Sequence, residues 1–404
     1  METYMETYTD ENGNRHIAET KIGGDAQGNL FRIRGGGFVL CDAHGGERLR
    51  ERFDEARILD LGHIESLAMP SMYLKGPRAG YLAPVPDGMV PVSEIMAPAD
   101  DDKGFYNKTG GLRRRVQLLA ELAKTLHMLH SVPCMYGEIS PLRLFVSENP
   151  GDANIRLLYS AGIGASMPFS PIWDSEPEPE GMTETSRQPE PGPDGWLRGI
   201  HSDARAFGAF AQDLLTHGGR RLELGEVLGD VKAMLASAQG ADIARRPSMA
   251  EAHRLLLQHL DLLLTCQKCG NGFVYQGKAC PLCQSALPKV MKARIYDKIG
   301  GRQVERGAKI IEFAMDVQHS FWNHHTEHVL FRAASEPRLV CMLKMASAKK
   351  LHFIIKSMMD KNIAVGGKPL APGQSTAVAL PCEVIRISFP LHSEVRRCID
   401  MVIE

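Results

Sequence analysis

Residues 112–164 read LRRRVQLLAELAKTLHMLHSVPCMYGEISPLRLFVSENPGDANIRLLYSAGIG, and the order of elements in this stretch decides the fold. Val116, Leu119, Leu122, Ala123, Leu126, Leu129 and His130 recur at helical spacing behind a basic opening turn, which predicts a helix. A short turn closed by Pro133 leads into Tyr136-Gly137-Glu138-Ile139-Ser140-Pro141. Two short apolar runs follow, 142–146 and 155–158, and the polar stretch 147–154 between them predicts a hairpin.

A helix, a turn and a hairpin in that order resemble the centre of the C-lobe of protein kinases. The kinase signature there is His-Arg/Gly-Asp, then Asn, then Asp-Phe-Gly. This chain carries Tyr136-Gly137-Glu138, then Arg143, then Ser160-Ala161-Gly162. Upstream, residues 17–33 read as strand, Gly-rich turn and strand, with Gly23, Asp25 and Gly28 on the G-x-G-x-x-G positions. Such a loop cradles phosphate because glycines let backbone N–H groups approach the anion, and Asp25 puts a like charge there. A plain hairpin turn also accounts for the pattern. Phe38-Val39-Leu40-Cys41 stands in place of the V-A-I-K strand, with Cys41 where the resemblance implies the phosphate-holding lysine. Residues 47–61 form an amphipathic helix in which Glu55 takes the helix-C glutamate position, or lies on a solvated face among Arg48, Arg50, Arg52 and Arg57.

Gly80-Tyr81-Leu82-Ala83-Pro84 resembles the Gly-Tyr/Phe-Leu-Met-Pro hinge of a group of bacterial kinase-like proteins from tellurite-resistance-type loci. The resemblance covers residues 16–285. It implies an N-lobe over 16–108, a C-lobe over 109–264, and as partners a PP2C-type phosphatase and a von Willebrand A domain protein. Asp203 and Gly208 fit the Asp-x-x-x-x-Gly that opens the kinase helix F, where the Asp caps the catalytic-loop backbone. Arg245-Arg246-Pro247-Ser248 precedes the final helix, with Ser248 as N-cap and Glu251 at N3.

The residues that carry the chemistry are replaced. Glu138 is one methylene longer than the catalytic Asp, and a misplacement of about 1 Å can cost ~100-fold in rate. Arg143 stands for the metal-binding Asn and Ser160 for the Mg²⁺-binding Asp, so a cation and a neutral hydroxyl occupy places that need carboxylate or amide oxygen. Without both electrostatic clamps, phosphoryl transfer loses most of its catalysis. The expectation is a pseudokinase that does not turn over ATP. Two alternatives remain at this point: a divergent active Ser/Thr kinase using Glu138 as base, and a nucleotide sensor in which Arg143 and Arg156 replace the lysine and the magnesium. Residues 166–198, rich in Pro and Glu, read as a disordered or mobile loop, a solvated linker before they read as phosphate acceptors at Ser170, Ser175 and Ser186.

Cys266-x-x-Cys269 and Cys280-x-x-Cys283 carry the metal-ligand signature. Each CxxC turn aims two thiolates at one ion, so residues 265–287 read as a zinc ribbon with four Cys ligands and a structural metal. Phe273-Val274-Tyr275 followed by Gly277 is expected to form the hairpin between the two pairs. Beyond residue 288 the pattern changes to short strands with Gly, Pro and Asn turns, the mark of an all-β sandwich over 288–404. Residues 351–389 are similar to the end of forkhead-associated domains through Asn362, Gly366, Gly367, Gly373 and Leu380. The phosphothreonine-binding Arg and Ser-x-x-His of those domains are not identifiable. Ser320, His324, His325 and His328 form a histidine-rich patch, read as polar surface or as a metal site.

At 404 residues the chain has room for two or three domains, and 44% apolar with 24% charged residues is ordinary for a globular protein. The net charge of −1 gives no reason to expect nucleic acid or an acidic membrane surface as partner. No run of eighteen apolar residues occurs, and nine cysteines with four in CxxC pairs suit a reducing, cytoplasmic setting. The tandem METYMETY over residues 1–8 reads as part of a frayed, disordered N-terminus over 1–15. The whole is an α+β chain: a two-lobed kinase-like fold, a zinc ribbon and a β-sandwich, acting as a regulatory scaffold.

Overall fold

The computed structural model describes residues 3–25, 28–43, 51, 53–54, 58–76, 80–96, 103–132, 134–137, 139–160, 163–165, 190–192, 195–197, 199–216, 229–275, 277, 279–327, 337–347 and 350–404. The chain is α+β and divides into two compact units, one of residues 1–224 with 229–253, the other of 225–228 with 254–404. Among the described residues no helix is long and apolar enough to cross a membrane. The expected loop over 166–198, apart from short paired segments at 190–192 and 195–197, lies outside the described residues, as does most of the helix expected over 47–61.

The first unit opens with a closed six-stranded barrel in the order Thr3–Asp10, Arg15–Asp25, Gly28–Ile33, Phe38–Ala43, Gly80–Pro84, Met72–Lys75. Its core is Ala18, Phe31, Ile33, Leu40, Leu74 and Leu82, with Tyr8, Phe38 and Met72 packed against them. The disordered terminus expected over 1–15 is thereby corrected. Residues of high β-propensity repeat over 3–9, and Thr9 and Asp10 pair with Lys75 and Leu74 to close the barrel. Asp10, fully buried, accepts from the backbone N–H groups of Asn12 and Asn14, from Asn14 Nδ2 and from His16. The turn that joins the first two strands is therefore built around one carboxylate.

The helix Gly111–Ser131 buries Leu112, Val116, Leu119, Leu122, Ala123, Leu126 and Leu129, the face its spacing dictates. Its basic opening turn is not solvated. Arg115 is fully buried and donates to the carbonyls of Ile95, Gly111 and Tyr106, with its guanidinium 3.9 Å from the Tyr106 ring centre. The hairpin Leu144–Ser147 with Ile155–Leu158 lies in a four-stranded sheet between Met89–Pro91 and Leu67–Ala68. Helices Ile200–Thr216 and Gly229–Gln239 follow, then Met249–Leu262, whose residues from 254 on belong to the second unit. A Cβ on Gly208 would lie 2.8 Å from that of Ala238, so the first two of these helices pack where only glycine fits.

The second unit is a sandwich of two antiparallel sheets. The larger runs Arg302–Glu312, Val290–Ile299, Val395–Ile403, Ile385–His392, Ile363–Val365, Lys368–Leu370; the smaller runs Gln318–Phe321, Leu339–Ser347, Lys350–Ser357, Ser375–Leu380. One core fills the space between them, with Ile295, Phe321, Leu343, Phe353, Ile387, Phe389 and Ile399 among its members.

Deleting residues 1–9 should lower the melting temperature and promote aggregation, because it bares two strand edges, Arg15–Asp25 and Met72–Lys75. Calorimetry of the truncated chain checks this. An unchanged melting temperature would mean that the segment carries no structure.

Candidate functional site

Among the described residues, chemistry-bearing side chains gather in the hairpin-and-turn region of the first unit and in the cysteine cluster of the second. In the first, Asp25 ends the strand Arg15–Asp25, and Arg143 lies on the turn that leads from Pro141 into the strand Leu144–Ser147. They meet in a two-point ion pair, Nε to Oδ2 at 2.7 Å and Nη2 to Oδ1 at 2.7 Å. Arg143 is 1% exposed. Its remaining Nη1 donates to the Tyr81 hydroxyl at 3.2 Å and to the Tyr159 carbonyl at 3.3 Å. The guanidinium is thus used on every side.

Cys41 and Tyr81 complete the surroundings of that guanidinium. Burial pushes both the Cys41 thiol and the Tyr81 phenol up, Tyr81 well above its usual value, so both stay neutral. Burial alone would pull Arg143 down, but the Asp25 carboxylate that pairs with it holds it above the usual arginine range. Behind them Phe53, Tyr81 and Tyr159 pack edge to face, with ring centres 5.0 to 5.9 Å apart. The hairpin also sits close over the turn: a Cβ on Gly23 would lie 2.9 Å from Leu142 Cδ2. Gly28 has φ +146° and approaches the Asp42 carbonyl so closely that a Cβ would overlap it. Its glycine serves strand packing.

Of the residues singled out in the sequence, Asp25, Cys41 and Arg143 converge. Ser160 is fully buried, and its carbonyl accepts from the N–H of Ile163. Arg156 lies on the hairpin opposite Phe145 and donates to the carbonyl of Ile155. Glu138, Glu55, Ala161 and Gly162 lie outside the described residues. The aromatic wall joins Phe53, an apolar-face position of the helix expected over 47–61, to Tyr159, which no spacing marks.

Asp203, fully buried, accepts from the backbone N–H groups of Tyr136 and Gly137 at 2.7 and 2.8 Å and bonds His130 Nε2 at 2.9 Å. One carboxylate fixes the turn that precedes Arg143. Arg246 donates to the carbonyls of Gly240 and His201, and Ser248 caps the helix Met249–Leu262 by accepting from the Glu251 N–H.

In the second unit Cys266, Cys269, Cys280 and Cys283 bring their sulfurs within 4.8 Å of one another, and all four are free of disulfides. The closest pairs are Cys266–Cys283 at 3.7 Å and Cys269–Cys280 at 3.8 Å. A tetrahedral ion bound at about 2.3 Å has sulfur–sulfur edges of about 3.8 Å, so the cluster has the dimensions to hold a metal ion such as zinc. Gly272–Val274 pairs back with Leu263–Thr265 around the first CxxC, and an Ala279–Ala286 bridge flanks the second. Among the described residues, the strand expected to form a hairpin between the two cysteine pairs instead pairs with the segment before the first pair, which is a correction. Leu264, Phe273, Val290 and Ile310 pack with the cysteines, so the cluster is built onto the first strands of the sandwich.

Asp261, His324 and His325 form a second group with metal-ligand spacing. His325 Nδ1 accepts from the Trp322 N–H at 2.9 Å, so Nε2 carries the ring proton and donates to Asp261 at 2.7 Å. A metal on Nε2 would need that proton removed, and Lys309 already holds Asp261 at 2.7 Å. The group is a buried hydrogen-bond network. Ser320 lies apart, on the strand Gln318–Phe321, and His328 is outside the described residues. No protein-family model and no curated protein matches this chain.

Burial lowers the His325 pKa from 6.5 to about 3, the nearby Asp261 opposing it only in part. The folded imidazole is neutral while the unfolded one protonates below about 6.5. Stability from this residue is therefore complete above pH 6.5 and lost as pH falls toward 3, by at most about 1.4 kcal/mol per pH unit. Urea titrations at pH 7.5 and 5 should show a larger loss for wild type than for His325→Asn. Equal losses would contradict a neutral buried His325.

Proposed function

We propose that this chain is a catalytically inactive, protein-kinase-like regulatory scaffold whose nucleotide cleft is closed by its own side chains. The observation that carries this reading is the Arg143–Asp25 ion pair. The residue in the metal-binding position and the residue in the Gly-rich turn neutralise each other, where a kinase needs one to hold magnesium and the other to admit phosphate. Cys41 and Ser160 supply neither the missing lysine nor the missing carboxylate.

Several observations support the kinase-like frame. The Gly-rich hairpin leads into the Cys41 strand, which pairs with the hinge-like strand Gly80–Pro84. Asp203 caps the turn at Tyr136 and Gly137, the role its position in the resemblance implies. Arg246 and Ser248 secure the final helix. A kinase-like protein that keeps its structural carboxylate and loses its chemical ones fits a role in recruiting partners. A PP2C-type phosphatase and a von Willebrand A domain protein are the proposed partners, in a cytoplasmic setting.

The four-cysteine element is read as a structural zinc site, since four thiolates leave a tetrahedral ion no open position. The sandwich is read as a degenerate forkhead-associated-like domain for protein contacts. Gly366 and Gly367 form the turn of the hairpin Ile363–Val365 with Lys368–Leu370, as the similarity requires. Arg338 is held by the Glu327 carboxylate through two nitrogens, which leaves it poorly placed to read a phosphothreonine.

Thermal shift of zinc-replete protein with ATP or ADP, with and without Mg²⁺, tests the reading, and no shift is expected. A Mg²⁺-dependent shift would overturn it in favour of a kinase. A metal-independent shift lost in Arg143→Ala would make the protein a nucleotide sensor.

A further inference from the structure

We infer that Asn271 and Ser285 are the positioning residues of the four-cysteine centre, each supplying the side-chain hydrogen bond that the second cysteine of its pair receives. This rests on reading the centre as a zinc site.

The two CxxC turns are built alike. After Cys269 comes Gly270 at φ +71°, and after Cys283 comes Gln284 at φ +58°, so both chains turn through the left-handed region at the same step. Gly270 N–H donates to the Cys266 carbonyl and Gln284 N–H to the Cys280 carbonyl. The next residue closes each turn: Asn271 accepts at its carbonyl from the Cys266 N–H at 2.9 Å, and Ser285 from the Cys280 N–H at 2.8 Å. Asn271 and Ser285 thus occupy equivalent places in a two-fold repeat.

Their side chains do equivalent work on the sulfurs. Asn271 Nδ2 lies 3.3 Å from Cys269 Sγ. Ser285 Oγ lies 3.0 Å from Cys283 Sγ and 3.4 Å from Cys266 Sγ. Toward a thiolate the hydroxyl can only donate, and its single proton serves the nearer sulfur. Backbone N–H groups serve the sulfurs as well: Cys266 accepts from Lys268 and Cys269, Cys280 from Leu282 and Cys283, and Cys283 from Ser285. The backbone bonds follow from the turn alone, whereas the side-chain bonds depend on which residue stands two places after the second cysteine.

Four thiolates around a dication leave two negative charges in a partly buried place, and donors directed at sulfur disperse them. Asn271 is 7% exposed, so water does not readily replace its amide. Alanine at either position removes the donor and keeps the carbonyl that closes the turn.

The test uses full-length Asn271→Ala, Ser285→Ala and Ser285→Thr, with zinc affinity from chelator competition and the sulfur-to-cobalt charge-transfer band of Co²⁺-loaded protein. Each alanine variant should still bind one zinc, about tenfold more weakly. Its charge-transfer band should move to lower energy, because an unbonded thiolate gives up charge more readily. Ser285→Thr should stay near wild type. Affinity and band both unchanged in the alanine variants would overturn the inference, and so would a Thr variant as impaired as Ala. Wild-type protein that bound neither metal would instead overturn the zinc reading itself.

Discussion

The contact between Arg143 and Asp25 is the constraint on which the first unit depends. It joins residues 118 positions apart, one at the end of a barrel strand and one on the turn before a hairpin. A guanidinium taken out of water is tolerable only when its donors are met, and here a carboxylate, a phenol and a carbonyl meet them. Removing one partner of such a pair costs about 3–5 kcal/mol, mostly the cost of the charge left behind. The glycine at position 23 and the neutral Cys41 follow from the same closure: the hairpin comes down onto Leu142, and a lysine at position 41 would set a second cation against Arg143.

The second unit is organised around buried charge as well. Arg397, 1% exposed, pairs with Asp297 and donates to the carbonyl of His325. His325 in turn donates to Asp261 near the end of the helix Met249–Leu262. The short helix Asn323–Thr326 is therefore pinned to one sandwich strand and to the preceding helix by a run of satisfied polar groups. The cysteine cluster packs on Val290 and Ile310 of the same sandwich, so ribbon and sandwich form one unit where composition had divided them at residue 288.

Much of this was legible in the sequence because it rests on local signals. The 3.6-residue period of residues 116–129 fixed the long helix, the polar break at 147–154 fixed the hairpin, and CxxC spacing gathered the four cysteines. What escaped depended on partners distant in the chain. Residues 1–8 look like a duplicated tail until the free edge of Met72–Lys75 gives them a place to pair. Arg114 and Arg115 look solvated until carbonyls from three other segments surround them. The strand Val395–Ile403 carries three charges, yet it lies between Val290–Ile299 and Ile385–His392 in the middle of a sheet. Asp25 and Arg143 were each visible as a departure from the kinase pattern, but nothing in either stretch said that the two departures compensate each other.

That compensation is open to direct measurement. A double-mutant cycle of Asp25→Asn, Arg143→Met and the pair, followed by urea unfolding, isolates the interaction between the two side chains from their separate surroundings. The account predicts a coupling of about 2–3 kcal/mol, with the double variant more stable than the sum of the single losses allows. Additive losses would mean that the two residues do not hold each other, and the cleft would have to be regarded as open.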